Sequence, residues 1–232
     1  MASNETINEL LQSTDSEESI EYLNNYLAEK QKALDELSDD ASELDRAHLK
    51  LDIAEALVGV GRAEECWEVA REAFDVFIEN EQWEAAVQCC DVLYQSGQPA
   101  SLSALGQGVW LAVTYPIDPQ LSINMLGYVV DETPGKADGA AVAAIVAHYI
   151  ADIRTEGEKH KSMTFVTNQL LANAAREHSG INNQEEMDAW LEKLQLLDPE
   201  IFLPRLSLVL GAIVPQDQWW FDRDALREKI TD

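Results

Sequence analysis

The chain has 232 residues, 46% hydrophobic and 25% charged, a composition that belongs to a folded protein and not to a disordered one. Its 43 acidic residues outnumber 16 basic ones, for a formal net charge of −27. That excess argues against DNA, RNA and anionic membrane surfaces, because phosphate binding needs clustered Lys and Arg, and it favours a basic partner or plain solubility.

The acid excess is uneven: residues 1–100 carry 24 acids and 6 bases, residues 101–232 carry 19 and 10. The first residues, Met1 to Glu5, lack the basic and apolar regions of a secretory signal. No apolar run approaches the roughly 20 residues that span a bilayer; the densest, Ile201–Val214, contains Pro204 and Arg205. The expected setting is cytoplasmic.

Residues 1–13 read as a flexible polar lead. Thr14 with Glu17, or Asp15 with Glu18, forms a capping box for a helix starting near Ser16. Ile20, Leu23, Leu27, Leu34 and Leu37 make its apolar stripe, interrupted at Lys30. After a turn over 38–42, a second helix carries Leu44, Ala47, Leu51, Ala54 and Val58 and ends at Gly59 or Gly61. Helices are expected over 62–79 and 82–96, a break at Gly97-Gln98-Pro99, and a further helix over 101–114. Asp118 before Pro119 caps the next, to about Val130.

The cluster Asp131–Gly135 is the candidate boundary between an acidic helical-hairpin region, 14–132, and a C-terminal helical region, 136–232, packed against it. In the latter, the alanine-rich 138–153 reads as a central helix and 159–178 as a long one ending before Gly180. Asn183 and Asp198 cap two more, the second running to Gly211 with a bend near Pro204. The last, a docking helix, starts at Asp222 with Phe221 and Leu226 as a hydrophobic staple. Val109–Tyr115 has strand-like composition but no partner strand. The fold expected is all-α, about eleven helices in antiparallel hairpins.

Within residues 47–99, Ala54, Leu57 and Gly61 fit a first helix and its turn, and Cys66, Ala70 and Ala73 the inner face of its mate. Phe74, Phe77, Trp83, Ala86, Cys90 and Leu93 fit a second, overlapping hairpin, with Pro99 trailing. This block resembles the tetratricopeptide-repeat family, although Ala70 and Cys90 stand where that family has bulky aromatics and the spacing is nearer 20 residues than 34. The resemblance implies a tetratricopeptide-like α-α superhelix that binds peptides or proteins on a concave face without cofactor or chemistry; an irregular helical bundle is the alternative.

No catalytic motif is present. There is no Gly-rich phosphate loop, Gly-x-Ser-x-Gly, Cys-x-x-Cys or Glu-x-x-His. Gly106-Gln107-Gly108 reads as close helix packing or a bend. Asp45 with His48, and His148 with Asp152, share helix faces, but such coincidences are expected among 43 acids. Cys66, Cys89 and Cys90 read as buried, reduced thiols.

Three functions are therefore open. The first is a non-enzymatic interaction module, an adaptor or assembly chaperone holding a basic or amphipathic segment of another protein, with no cofactor or metal. Tyr22, Tyr26, Trp67, Trp83, Trp110, Trp219 and Trp220 are its candidate contact residues. The second is an acidic maturation factor for a metalloenzyme, and the third an enzyme using His148 and Asp152. Trp219-Trp220-Phe221 is either a core plug or an anchor for a partner.

Overall fold

The computed structural model describes residues 17–231, so the lead over 1–13 and the capping residues Thr14 and Asp15 lie outside the described residues. Among the described residues there are eleven α-helices, one 3₁₀ turn and no strand. They are α1 (Glu17–Asp35), α2 (Glu43–Gly59), α3 (Ala63–Glu79), α4 (Trp83–Gln95), α5 (Ser101–Thr114), α6 (Pro119–Glu132), α7 (Asp138–Arg154), α8 (Gly157–Ser179), α9 (Gln184–Lys193), α10 (Pro199–Ile213) and α11 (Arg223–Thr231), with the 3₁₀ turn at Gln216–Gln218. The strand-like stretch 109–115 is helical to Thr114. Among the described residues, no helix is long and apolar enough to cross a membrane.

Two compact units divide the chain inside α5, Met1–Ala104 and Leu105–Asp232. Residues 131–135, where the sequence suggests a boundary, are the end of α6 and the start of its connection to α7, within the second unit. A run of Asp, Thr, Pro and Gly reverses the chain; reversal alone does not separate cores.

In the first unit, α2 packs against α1, α3 and α4, and α3 also packs against α4. The α2–α3 and α3–α4 connections share one geometry. Arg62 N donates to Leu57 O and Gly61 N to Val58 O; twenty residues on, Gln82 N donates to Phe77 O and Glu81 N to Ile78 O. Each is a Schellman turn, whose penultimate residue must be left-handed: φ is +77° at Gly61 and +56° at Glu81. Such short turns return the chain antiparallel. The core joins Leu57, Cys66, Phe74, Phe77, Ala86, Cys90 and Leu93, all 0–1% exposed.

In the second unit, α7 is central. It packs against α6, α8 and α10, and Ala141, Ala143, Ala144, Ala147 and Ala151 are almost wholly buried along it, small enough for those neighbours to approach. Arg154, at its C-terminus, donates to Ala112 O (2.8 Å) and Val113 O (2.9 Å), satisfying carbonyls left open at the end of α5. A second polar tie joins α7 to α10. Trp190 Nε1 donates to His178 Nδ1 (3.1 Å), leaving Nε2–H to donate to Asp138 Oδ1 (3.2 Å). Asp138 Oδ2 then accepts from Arg205 Nη2 (3.0 Å).

Candidate protein-interaction site

Charged and aromatic groups of the first unit gather along α2, on which α1 and α4 both pack. Leu23 and Leu27 dock α1 onto α2, and the flanking positions Tyr22, Tyr26 and Lys30 follow at successive turns. The two tyrosine rings stack with centroids 6.5 Å apart and planes 14° from parallel. Lys30 Nζ sits 4.9 Å from the Tyr26 ring centroid and 2.6 Å from Asp52 Oδ2 on α2. Both members of this ion pair are about three-quarters covered, at 23% and 26% exposure. The break that Lys30 makes in the apolar stripe of α1 is thus filled by a pairing across helices.

Glu55 follows Asp52 by one turn on α2, and Asp91 approaches from α4. Among the described residues no donor reaches the half-buried Glu55 carboxyl. Burial, then the charges of Asp52 and Asp91, raise its pKa to about 7; Lys30, already engaged by Asp52, offsets this least. Burial and then Asp52 raise the Tyr26 pKa as well. For Lys30, burial alone would lower the pKa, but hydrogen bonds with Asp52 and Tyr26 raise it. Three carboxyls therefore share one ammonium, and Glu55 is pushed toward its protonated form first by burial and then by Asp52 and Asp91, with Lys30 paired to Asp52.

The other expected contact residues fall elsewhere. Trp67, in the second turn of α3, and Trp83, the first residue of α4, are half-exposed near the starts of the helices that follow the two Schellman connections. Beside Trp67, α3 presents Glu64, Glu65, Glu68 and Glu72 to solvent. In the second unit Trp110 is 4% exposed, so it belongs to the interior and not to a contact surface. Its ring packs 6.5 Å from Trp219 and 5.3 Å from Phe221. Trp220 N donates to the carboxamide oxygen of Gln107, a fully buried side chain (2.8 Å).

These contacts make Trp219 and Phe221 a plug on α5. Arg223 stacks 4.0 Å above Trp219, and the indole N–H of Trp219 is buried with no acceptor among the described residues. A shallow cavity of about 420 Å³ opens beside them, walled by Trp219, Trp220, Phe221 and Arg223.

His148 and Asp152 are not paired. His148 Nδ1 lies 3.0 Å from Thr167 Oγ1, whose hydroxyl donates to Met163 O, so the ring nitrogen donates to Thr167 and ties α7 to α8. Burial lowers the His148 pKa, and Asp152 and His160 then act on it in opposite directions. Asp152 stands 3.8 Å from His160 Nε2. Among the described residues no group of three or more His, Cys, Asp or Glu could hold a metal ion. The three cysteines are buried and free; burial pushes the Cys66 thiol to about 12 and raises Cys89 and Cys90 too. Thiols so raised are poor nucleophiles.

Comparison of the chain with protein-family models, with curated proteins and with solved structures finds no match.

Sequence reasoning placed Tyr22 and Tyr26 in a contact surface but missed Lys30, Asp52, Glu55 and Asp91 as a group. Two signals were available: the charged break at Lys30, and an acid at 55 between Ala54 and Ala56 in the otherwise apolar run 53–58. The part played by Asp91 depends on tertiary packing alone.

Proposed function

We propose that this protein is a non-enzymatic, cytoplasmic interaction module, an adaptor or assembly chaperone, whose first unit receives a basic or amphipathic segment of another protein. The observation that carries this reading is Glu55. It is a carboxyl without a cation, flanked by two further carboxyls and by a tyrosine pair that already holds one ammonium against its ring. A Lys or Arg side chain arriving from a partner would pair with Glu55 and displace its proton, and Tyr22 and Tyr26 would cover the aliphatic stem. The surplus of 18 negative charges in residues 1–100 would speed the encounter. The tetratricopeptide-like turns on either side of α3 are consistent with a module of this kind.

Calorimetric titration of the full chain with a lysine-rich amphipathic peptide, at pH 6 and pH 8, tests the reading. Binding should be several-fold tighter at pH 8, with proton release at pH 6 visible as heat that varies with the buffer. Glu55→Gln should abolish both the pH dependence and the proton release. Equal affinities at both pH values in the wild type, or a Glu55→Gln variant indistinguishable from it, would refute the proposal.

A further inference from the structure

Helix α10 is apolar around nearly its whole circumference, yet only one side of it is covered. Phe202, Leu206 and Leu210 are 2–3% exposed on the side that packs against α7. On the opposite side Ile201, Pro204, Leu208 and Ala212 recur at helical spacing and all are exposed, Leu208 to 75% and Ile201 to 40%. Leu197, just ahead of the helix, is 65% exposed. Between Ile201 and Val214 the single charge is Arg205, and its guanidinium is held by Leu194 O and Asp138. A helix apolar all round is ordinarily enclosed, so it is the exposure of one face of this fourteen-residue, singly charged stretch that is anomalous. At Gly211 a Cβ would meet nothing within 4 Å, so the backbone itself is open to close approach.

Interface area and charge together select the occupant. A stable dimer buries about 800 Å² per partner, and three aliphatic side chains on one helix expose only a fraction of that; two chains of −27 would also repel one another. The ends of the stripe are acidic and exposed: Asp198 and Glu200 at one, Asp217 beyond the other. We propose that the outward face of α10 docks an amphipathic α-helix of a partner protein, its apolar stripe laid along Ile201, Pro204 and Leu208 and its Lys or Arg residues set at the acidic ends. This is helix-on-helix recognition through anchors one turn apart. It stands independently of the Glu55 site, which lies in the other unit.

The test uses the full chain, isotopically labelled, and a synthetic amphipathic helix with Leu and Ala on one face and Lys at both ends, at about 150 mM salt. A peptide of identical composition with its leucines scattered serves as the control. Amide shifts should map to the exposed positions of α10, and Leu208→Asp should weaken binding at least tenfold while leaving the melting temperature unchanged. Phe165→Ser, at an exposed phenylalanine on α8, and Glu55→Gln should leave the α10 shifts intact. Three outcomes would overturn the proposal: equal binding of the scattered peptide, no effect of Leu208→Asp, or sedimentation showing that the wild type dimerises through this face and the variant does not. The last would make a second copy the occupant.

Discussion

Glu55 shows how one residue can set both a stability and a binding property. In the unfolded chain its carboxyl titrates at the ordinary value of 4.5, and in the folded chain at about 7. Between those values the folded state holds more protons, so stability falls as pH rises. Its contribution is complete below pH 4.5 and lost as pH passes through 7. Glu55→Gln keeps the shape and removes the charge, so it should be more stable than the wild type at pH 8 by about 1–3 kcal/mol and equal to it near pH 4.5. Chemical denaturation at the two pH values checks this, and a variant less stable at pH 8 would mean that the ionised carboxyl has a cation of its own. The sequence displayed the surroundings of this residue only in part. The interruption at Lys30 was plain, because a charge on an apolar stripe is visible locally. The effect of Asp91 was not, because 36 residues separate it from Glu55 and only the packing of α4 on α2 brings them together.

At the scale of elements, the helix starts were legible wherever a side chain caps its own backbone. Asp118, Asn183, Asp198 and Asp222 each accept from main-chain N–H groups two or three residues on, at 2.6–3.4 Å, as their spacing suggested. Helix stops were legible at Gly61, at Gly180 and after Glu79, where the pattern breaks before 82; the left-handed backbone at Glu81 and Gln195 was not, since neither is glycine. Gly106 gives the sharpest test of packing at this scale. A Cβ there would stand 2.4 Å from Val214 Cγ2 and 3.2 Å from Ile213 Cγ2, whereas at Gly127 on α6 it would meet nothing within 4 Å. Alanine gains about 1 kcal/mol over glycine in a helix interior, while a clash with a branched side chain costs about 1–3 kcal/mol. Gly127→Ala should therefore raise the melting temperature and Gly106→Ala should lower it. A rise at both positions would show that the end of α10 yields without cost.

For the whole molecule, the net charge of −27 opposes compaction and favours cationic ligands at once. The two effects respond to salt with opposite signs. Raising ionic strength from about 20 to 300 mM shortens the Debye length severalfold, so the melting temperature should rise while affinity for a lysine-rich peptide falls. Differential scanning calorimetry and a binding isotherm on the same samples would show both, and a melting temperature that falls with salt would mean that attractive pairs outweigh repulsion. The all-α architecture was legible because hydrophobic periodicity and caps agree along the chain. The division inside α5 was not, since no break in composition marks residues 104–105.

Everything proposed for the first unit turns on a Glu55 carboxyl held near half-protonation at neutral pH by burial and by Asp52 and Asp91, and on a partner's cation that would ionise it. The direct measurement is the titration of the Glu55 side-chain carboxyl carbon by NMR, in the free chain and with a saturating lysine-rich amphipathic peptide. The midpoint should be about 7 in the free chain and fall toward the ordinary value of 4.5 when the peptide is bound. A free midpoint already in the ordinary range, or one near 7 that the peptide leaves unmoved, would contradict the proposal.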